Sequence, residues 1–284
     1  MSTGLTVLGK KSMIEQELAD FIEYLTTHVS NGTLILYINH LTRWIRYVSN
    51  IYKDANILYM NGNLNPNTAQ AYLNMLTKAD KSPSTVCTAG HAIKKFLVWK
   101  GIYANIKLDV PQIKFGEPKY ISLDRINEIL GVCSAPLEIL IITLLFDSAI
   151  RISELLNLEL QDIDWNTKII TVTRKGGKRD DVNISDKSID ALKTWLSIRR
   201  FSSERVFGDL DYQTVWRLVK NIGKRIGIKL HPHMFRHSRA VHLLKSRVPI
   251  HVVSQHLGHR NIGTTINIYG RFTAIDLKKY IVDW

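Results

Sequence analysis

Apolar residues recur at helical spacing through most of the first hundred positions of this chain. A capping box formed by Ser12 and Glu15 opens the first apolar stripe, and Pro66 suits the first position of a later helix. The pattern predicts four helices joined by polar turns, which indicates a small all-α domain. The predicted helices span residues 12–25, 34–48, 66–76 and 82–101.

The second half alternates helical stripes with one pair of strands. A β-branched run over 168–175 and an alternating run over 179–184 flank Gly176-Gly177, a pair typical of a tight hairpin turn. The run over 136–149 is apolar on every side and is predicted to be a central core helix. The remaining predicted helices span residues 122–133, 152–158, 189–198, 212–226 and 232–244.

A break in the helical pattern separates these two halves. Between 103 and 119 the polarity is mixed, and Pro111, Gly116 and Pro118 interrupt the chain, as expected of a linker. The sequence therefore predicts a two-domain protein: an all-α domain over 1–105, a linker over 106–118, and a mixed α/β domain over 119–284 that is mainly helical with a small antiparallel sheet.

Composition and charge narrow the class of protein. The chain has 284 residues, 45% of them hydrophobic, so it can bury a large core and is not a disordered basic tail. The apolar run 139–146 is far shorter than a membrane span, no signal peptide is evident, and two cysteines are too few for a disulfide framework. We expect a cytoplasmic protein. A net charge of +13 favours a nucleic-acid partner.

Seven of the ten histidines lie between 231 and 259, and two kinds of site could explain this cluster. His233 and His237, four residues apart on a predicted helix, could bind a metal, but no Asp or Glu occurs from 231 to 275 to complete the site. Arginines and histidines can instead bind an anion, because guanidinium and imidazole groups donate hydrogen bonds to phosphate oxygens. We therefore expect an anion site containing His233 and Arg236, without metal or cofactor.

Five separated motifs now share their order and spacing with one family. The chain resembles the tyrosine recombinases, or phage integrases, and is most similar to the compact Xer-type and mobile-element integrases. The resemblance is close over 120–284 and looser over 12–105. The motifs are Ile150-Arg151-Ile152-Ser153-Glu154-Leu155, Arg174-Lys175-Gly176, His233-x-x-Arg236-His237-Ser238, Leu257-Gly258-His259, and Thr264-Thr265 before Tyr269.

The resemblance implies a role for each matching side chain. Tyr269 would attack a DNA phosphodiester and form a 3′-phosphotyrosyl bond, while Arg151 and Arg236 hold the non-bridging oxygens with help from His233 and His259. The chemistry is reasonable, since a phenol with a pKa of about 10 needs cationic neighbours or a base to react at neutral pH. Reversal by the 5′-hydroxyl of another strand would rejoin DNA without ATP or metal.

Two of the implied roles have competitors nearby. Lys175 would protonate the departing 5′ oxygen, but Lys178 and Arg179 lie just past the same turn and could serve if its register differs. Tyr280 competes with Tyr269 as the nucleophile, although its apolar neighbours predict a terminal amphipathic helix.

The chain also departs from the family pattern in two places. Ala149-Ile150 precedes the first arginine, where the family usually has Gly-Leu. The interval of ten residues from His259 to Tyr269 is one longer than in typical bacterial Xer recombinases and is common among phage integrases. Chromosome dimer resolution, integration and inversion therefore all stay open as biological roles.

The resemblance further implies how the protein meets DNA and its own copies. A core-binding domain over 1–105 and a catalytic domain over 119–284 would close on double-stranded DNA carrying a specific site, and the apolar face within 273–284 would dock on a neighbouring protomer in a tetramer on two DNA sites. A type IB topoisomerase and a non-catalytic DNA-binding protein are the alternatives. Candidate DNA contacts are Arg43, Arg46, Lys94 and Lys95.

Overall fold

The structure is a computed structural model, and it divides into two compact units, Met1–Lys114 and Phe115–Trp284. The division falls within the stretch predicted as the linker. The structure describes residues 3–51, 59–60, 63–65, 67–102, 107–113, 120–174, 176–259 and 261–269, with the backbone alone described for 3–15, 51, 59–60, 63–64, 264 and 267–269.

The N-terminal unit contains four described helices and one short strand pair. Its elements are α1 (Thr3–His28), α2 (Asn31–Ile51), β1 (Tyr59–Met60), β2 (Asn63–Leu64), α3 (Asn67–Lys78) and α4 (Pro83–Trp99). The antiparallel pairing of β1 with β2 was not predicted, because two-residue strands leave no alternation to detect.

The predicted start of the first helix is wrong. Because α1 already begins at Thr3, Ser12 lies inside the helix and cannot be its N-cap. Leu5 and Leu8 continue the helical spacing upstream, so the chain before Ser12 has no reason to leave the helical conformation. The fourth predicted helix begins where expected, at Pro83, and the Ser82 hydroxyl caps it by accepting a hydrogen bond from the Thr85 backbone N–H at 3.2 Å.

Three aromatic side chains meet within the core of the N-terminal unit, among many aliphatic ones. Phe21, Trp44 and Phe96 come from three different helices, and each is almost completely buried. The ring of Phe96 meets that of Phe21 edge to face with centroids 5.2 Å apart, and that of Trp44 at 6.1 Å. Burial of these large rings contributes to the unit's stability.

The C-terminal unit is mainly helical with one small sheet, which confirms the predicted fold class. Its elements are α5 (Leu123–Gly131), α6 (Pro136–Asp147), α7 (Ile152–Leu156), a 3₁₀ turn (Leu160–Asp162), β3 (Ile163–Asp164), β4 (Ile169–Thr173), β5 (Arg179–Asn183), α8 (Asp186–Ile198), α9 (Tyr212–Arg225), α10 (Pro232–Lys245), α11 (Ile250–Leu257) and α12 (Ile262–Tyr269).

Helix α6 is the centre of this unit. It packs against α5, α7, α8, α9 and α10, and Leu140, Ile141, Leu144 and Leu145 along it have no solvent exposure. A helix that is apolar on every face must be surrounded by other elements. Its C-terminal end therefore delivers the following residues, including Arg151, to a position bounded by several helices.

The sheet is antiparallel in the order β3–β4–β5. Ile170 pairs with Val182, and both side chains face the core. The hairpin closes where the Arg174 N–H donates to the Lys178 carbonyl at 2.7 Å. Gly176 and Gly177 have φ values of 89° and 79°, a conformation that glycine adopts without steric cost.

No helix in the described part of the chain is long and apolar enough to cross a membrane. The cytoplasmic location inferred from the sequence stays a prediction.

Candidate active site

Arg151 lies in the turn between α6 and α7. Its backbone N–H and its Nη1 donate to the two carboxylate oxygens of Glu154, at 2.8 and 2.6 Å. Glu154 is buried, whereas 35% of the Arg151 side chain stays exposed. The carboxylate therefore binds the arginine on its buried side and leaves part of the side chain accessible to a ligand.

The turn before Arg151 is strained at Ala149. Its φ of 53° lies in the left-handed region, where a Cβ is disfavoured and glycine is not. This explains why the family usually has glycine at that position. Packing and a hydrogen bond keep Ala149 in this conformation: the Nη1 of Arg236 donates to the Ala149 carbonyl at 2.6 Å.

Arg236 joins two segments of the site. It lies on α10 and is only 4% exposed; its Nη1 binds the Ala149 carbonyl, and its Nη2 donates to the Leu257 carbonyl at the end of α11. One guanidinium thus fixes the Arg151 turn relative to the segment that leads to His259. Such burial of a charge requires hydrogen-bond partners of this kind.

His233 lies one helical turn before Arg236 and is solvent-accessible. Desolvation by the surrounding protein, followed by the charges of Arg236 and Arg151, lowers the pKa of its imidazole below the ordinary value. The ring of His237 lies 6.1 Å away, and burial lowers the pKa of His237 as well. These histidines are therefore neutral at physiological pH.

His259 follows α11 directly. Gly258 ends that helix with a φ of 62°, and the Nδ1 of His259 shares a hydrogen bond of 2.7 Å with the hydroxyl of Thr265 on α12. Burial, and then the charges of Arg236 and Arg151, lower the pKa of His259 to about 4. A neutral ring held at one nitrogen leaves its other nitrogen to face a ligand.

The structure thus brings together Arg151, His233, Arg236 and His259, four of the six predicted catalytic residues. Lys175 lies outside the described residues. Tyr269 is the last residue of α12, but only its backbone is described. The placement of these two side chains stays a prediction.

A cleft opens beside two of these residues. Its volume is about 420 Å³, and Arg151 and His233 contribute to its wall together with two aromatic side chains from α9, Tyr212 and Trp216. The cleft is open to solvent beside the Arg151 turn.

The four candidate DNA contacts lie on α2 and α4 of the N-terminal unit. Arg43, Arg46 and Lys94 are exposed, and Lys95 is half-buried. The two helices pack against each other through their apolar faces. Whether these side chains bind DNA stays a prediction.

The metal alternative concerned the histidines clustered between 231 and 259. Among the residues that it describes, no three His, Cys, Asp or Glu side chains are grouped closely enough to hold a metal ion. Several of the clustered histidines have other neighbours: His242 bonds the Ile121 carbonyl at 2.8 Å, and His256 is packed inside the unit with its pKa lowered to about 4 by burial.

Sequence reasoning missed three residues of this site: Glu154, Arg174 and Thr265. Glu154 had a signal, because an acid three positions after Arg151 has the spacing of a capping box. Arg174 also binds Glu154, at 2.8 Å, but an arginine at a strand end is normally exposed and its sequence neighbours do not indicate burial. Thr265 had no local signal for its bond to His259.

The sequence of this chain matches a known protein family. The model of the phage integrase family matches residues 119–274. Tyrosine recombinase XerA of Pyrococcus horikoshii is 32% identical over 227 residues, which cover 75% of this chain and 79% of that protein. Tyrosine recombinase XerC of Pseudomonas entomophila is 35% identical over 162 residues, 52% of this chain and 54% of that protein.

Solved structures agree with the sequence matches. A crystal structure of XerA recombinase matches with a TM-score of 0.52 and 25% identity, covering 93% of this chain and 97% of that one. The Tn1549 transposon integrase, solved in complex with transposon right end DNA, shares the fold with a TM-score of 0.70 at 15% identity and the same coverage. The topoisomerase and non-catalytic alternatives are not favoured by these relatives. The convergence of two arginines and two histidines beside the Arg151 turn is consistent with these matches. The family model and the relatives show that the chain belongs to the phage integrase family of tyrosine recombinases, enzymes that cut and rejoin DNA in site-specific recombination.

Proposed function

We propose that the four clustered side chains form the phosphate site of this recombinase and that Tyr269 is its nucleophile. The observation that carries the proposal is the convergence of Arg151, His233, Arg236 and His259 from three separate segments of the chain. Their charges and hydrogen-bond donors suit a phosphodiester whose non-bridging oxygens gain negative charge in the transition state.

The reaction follows from the roles of these groups. The Tyr269 phenol loses its proton to the neutral, solvent-accessible ring of His233, and the phenolate oxygen attacks phosphorus. The bond from phosphorus to the 5′ oxygen breaks, the 3′ phosphate stays on Tyr269, and the 5′ oxygen receives a proton from Lys175. Attack by the 5′-hydroxyl of another strand reverses the step, so the bond energy is conserved without ATP.

His259 acts in this proposal as a neutral hydrogen-bond donor. In this role the Thr265 hydroxyl, 2.7 Å from Nδ1, is the donor of their shared hydrogen bond; the ring then carries its proton on Nε2, which can donate to a phosphate oxygen. Its pKa of about 4 keeps the ring uncharged across the neutral range. The positive charge at the site therefore comes from the arginines.

Lys175 is favoured over its two neighbours as the acid. Lys178 donates to Asp180 at 2.6 Å, and Arg179 donates to Asp162, so both alternatives are already engaged with carboxylates. A substrate with sulfur in place of the 5′ bridging oxygen tests this choice, because a thiolate leaves without a proton. Lys175→Ala should cleave that substrate nearly as fast as the unaltered chain and should be slow on ordinary DNA. An equal defect on both substrates would rule out Lys175 as the acid.

A nicked suicide substrate tests the nucleophile. Cleavage next to the nick releases a short strand that diffuses away, so the covalent protein–DNA adduct accumulates and is counted on a denaturing gel. Tyr269→Phe should form no adduct, and the matched variant Tyr280→Phe should form it as the unaltered chain does. An adduct that persists in Tyr269→Phe and disappears in Tyr280→Phe would reverse the assignment.

The assembly belongs to the same proposal. Two DNA sites are joined by four protomers, and the segment 273–284, which lies outside the described residues, docks on a neighbouring protomer. Removing 273–284 should leave binding to a single site measurable but weaken pairing of two sites in a gel-shift experiment. Unchanged pairing would exclude this docking role. Adducts without any strand exchange between two sites would favour DNA relaxation.

A further inference from the structure

Arg174 occupies an unusual place for an arginine at the end of a strand. It follows β4 directly, yet only 6% of it is exposed. Its Nη1 donates to Glu154 at 2.8 Å, its Nη2 to the His256 carbonyl at 3.1 Å, and its Nε lies 3.4 Å from a carboxylate oxygen of Asp180. One guanidinium therefore connects the hairpin, the Arg151 turn and the end of α11.

The turn before His259 is packed directly on this guanidinium. A Cβ on Gly258 would lie 2.5 Å from the Arg174 Nε and 2.7 Å from its Cζ, far inside van der Waals contact. Gly258 also has a φ of 62°, so this position requires glycine both for its conformation and for the close approach. The path of the backbone into His259 is thus shaped by Arg174.

Arg174 also determines the charge that Arg151 presents. Glu154 is almost completely buried and is shared by the two arginines. With Arg151 alone, the carboxylate and the guanidinium would form a neutral pair. The second guanidinium neutralises the carboxylate, so the three groups together carry a net positive charge, and Arg151 is the member that reaches solvent.

We propose that Arg174 is a positioning residue of the recombinase, which keeps the charge of Arg151 available for the phosphate and holds the turn that carries His259. This inference rests on the proposed function, because it concerns the same phosphate site. Arg174 itself does not touch the DNA; it acts through Glu154 and through the backbone of 256–258.

The charged groups around Glu154 determine how the proposal can be tested. Arg151 faces it from its own turn, Arg174 from the end of β4, and His233 from α10, where the charges of Glu154 and the imidazole interact. Burial alone would raise the pKa of Glu154, but hydrogen bonds from Arg151 and the charge of Arg174 outweigh it and lower the pKa. Without Arg174, the pKa of Glu154 should rise.

The first experiment measures the rate of adduct formation on the suicide substrate at several pH values. Arg174→Met should be slower by on the order of 100-fold near pH 8, because misplacement of a catalytic group by about 1 Å has effects of that size. The ratio of its rate to that of the unaltered chain should rise as the pH falls, since protonated Glu154 no longer neutralises Arg151. Lys168→Met, at a partly exposed cation just before β4, is the matched control and should react normally.

Two further variants separate charge from geometry. Arg174→Lys keeps the charge but cannot make the three contacts together, so it should be slower by about 10-fold with unchanged DNA binding. Glu154→Gln combined with Arg174→Met should be faster than Arg174→Met alone. If Arg174→Met does not fold, Arg174→Lys carries the test, and a rate equal to that of the unaltered chain would overturn the proposal. A loss that is the same at every pH and is not relieved by Glu154→Gln would mean that Arg174 only stabilises the fold.

A measurement without DNA distinguishes failure of this inference from failure of the proposed function. Carbon NMR of labelled glutamate in the full chain should show a higher pKa for Glu154 in Arg174→Met than in the unaltered chain, whether or not the protein cleaves DNA. An unaltered chain that forms no adduct would refute the proposed function. An unchanged pKa of Glu154 would refute the inference about Arg174 by itself.

Discussion

The two units of the protein differ most in what they bury. Among the described residues of the N-terminal unit, the buried polar side chains are His40 and Thr68, and the core is built from aromatic and aliphatic groups. The C-terminal unit buries a set of charged side chains as well as a large apolar core. These charged residues are Glu138, Asp147, Glu154, Arg174 and Arg236.

The difference reflects two ways of using charge. On α2 of the N-terminal unit, Arg43 and Arg46 are exposed, where they can move and are screened by salt. In the C-terminal unit, Arg174 and Arg236 are almost completely buried and are held by carboxylates and backbone carbonyls. Fixed, desolvated charges stabilise a transition state far better than mobile ones. We therefore expect the buried arginines to serve the proposed phosphate site, whereas exposed ones suit general attachment to a polyanion.

The largest expected effect is a loss of stability when the apolar core of the N-terminal unit is altered. Phe96→Ala should lower the free energy of unfolding of that unit by about 3–5 kcal/mol, because it removes a fully buried ring from contact with Phe21 and Trp44. Chemical denaturation measures the change. Val98→Ala on the same helix, at a side chain that is 54% exposed, is the control and should change stability by less than about 0.5 kcal/mol. Equal losses in the two variants would contradict the described core.

The second prediction concerns a buried charge of the C-terminal unit. Arg236→Met should slow adduct formation by about 10²–10³-fold, while it lowers stability less than Phe96→Ala does. The control is Arg239→Met on the same helix, which breaks a 3.3 Å pair with Asp147 but leaves the phosphate site intact. If both variants slowed cleavage equally, the buried charges would be structural and the comparison between the units would fail.

Acidification should affect the C-terminal unit through its buried histidines. Burial lowers the pKa of His256 to about 4, so between pH 6.5 and 4 the unfolded chain binds a proton that the folded chain does not. Stability therefore falls as the pH falls through this range, by at most about 1.4 kcal/mol per pH unit for one histidine. The group faces Arg239, Arg174, Asp147 and Arg236.

Denaturation of His256→Gln at pH 7 and pH 5 checks this expectation. The variant should lose less stability on acidification than the unaltered chain, whereas His251→Gln, at an exposed position on the same helix, should not differ from it. An identical loss in all three proteins would show that His256 takes up its proton in the folded state.

The smallest expected effect is on the salt dependence of DNA binding, through the exposed arginines. Replacing Arg43 and Arg46 by Ala should reduce the slope of log affinity against log salt by about 0.9 for each phosphate contact that is lost, with little effect on stability. Lys78→Ala, an exposed cation on α3, is the control. DNA binding measured at several salt concentrations gives the slope. An unchanged slope in the double variant would remove Arg43 and Arg46 from the DNA surface.

Local patterns were sufficient for most of the helices. The predicted core helix over 136–149 corresponds to α6, and the strands around Gly176-Gly177 correspond to β4 and β5, because apolar periodicity and turn residues act over a few positions. The two-residue strands β1, β2 and β3 were missed because they are too short to show a period. The helix start at Ser12 was wrong because a capping motif does not require the preceding chain to be non-helical.

The sequence by itself determined the class of chemistry. The clustered His233, Arg236 and His259 indicated an anion site, and the resemblance carried by the five motifs led to the family and to the role of Arg151. These signals can be read from the sequence alone because each motif is a short run of neighbouring residues.

Only the tertiary structure decided which charges are buried and what holds them. That Arg174 lies beneath Gly258, that Glu154 is shared by two arginines, and that Thr265 orients His259 all depend on segments far apart in the chain. The desolvation of a side chain is set by what packs around it, and a residue's neighbours in sequence do not contain that information. For this protein, the sequence therefore specifies the reacting groups, and long-range packing specifies their charge and orientation.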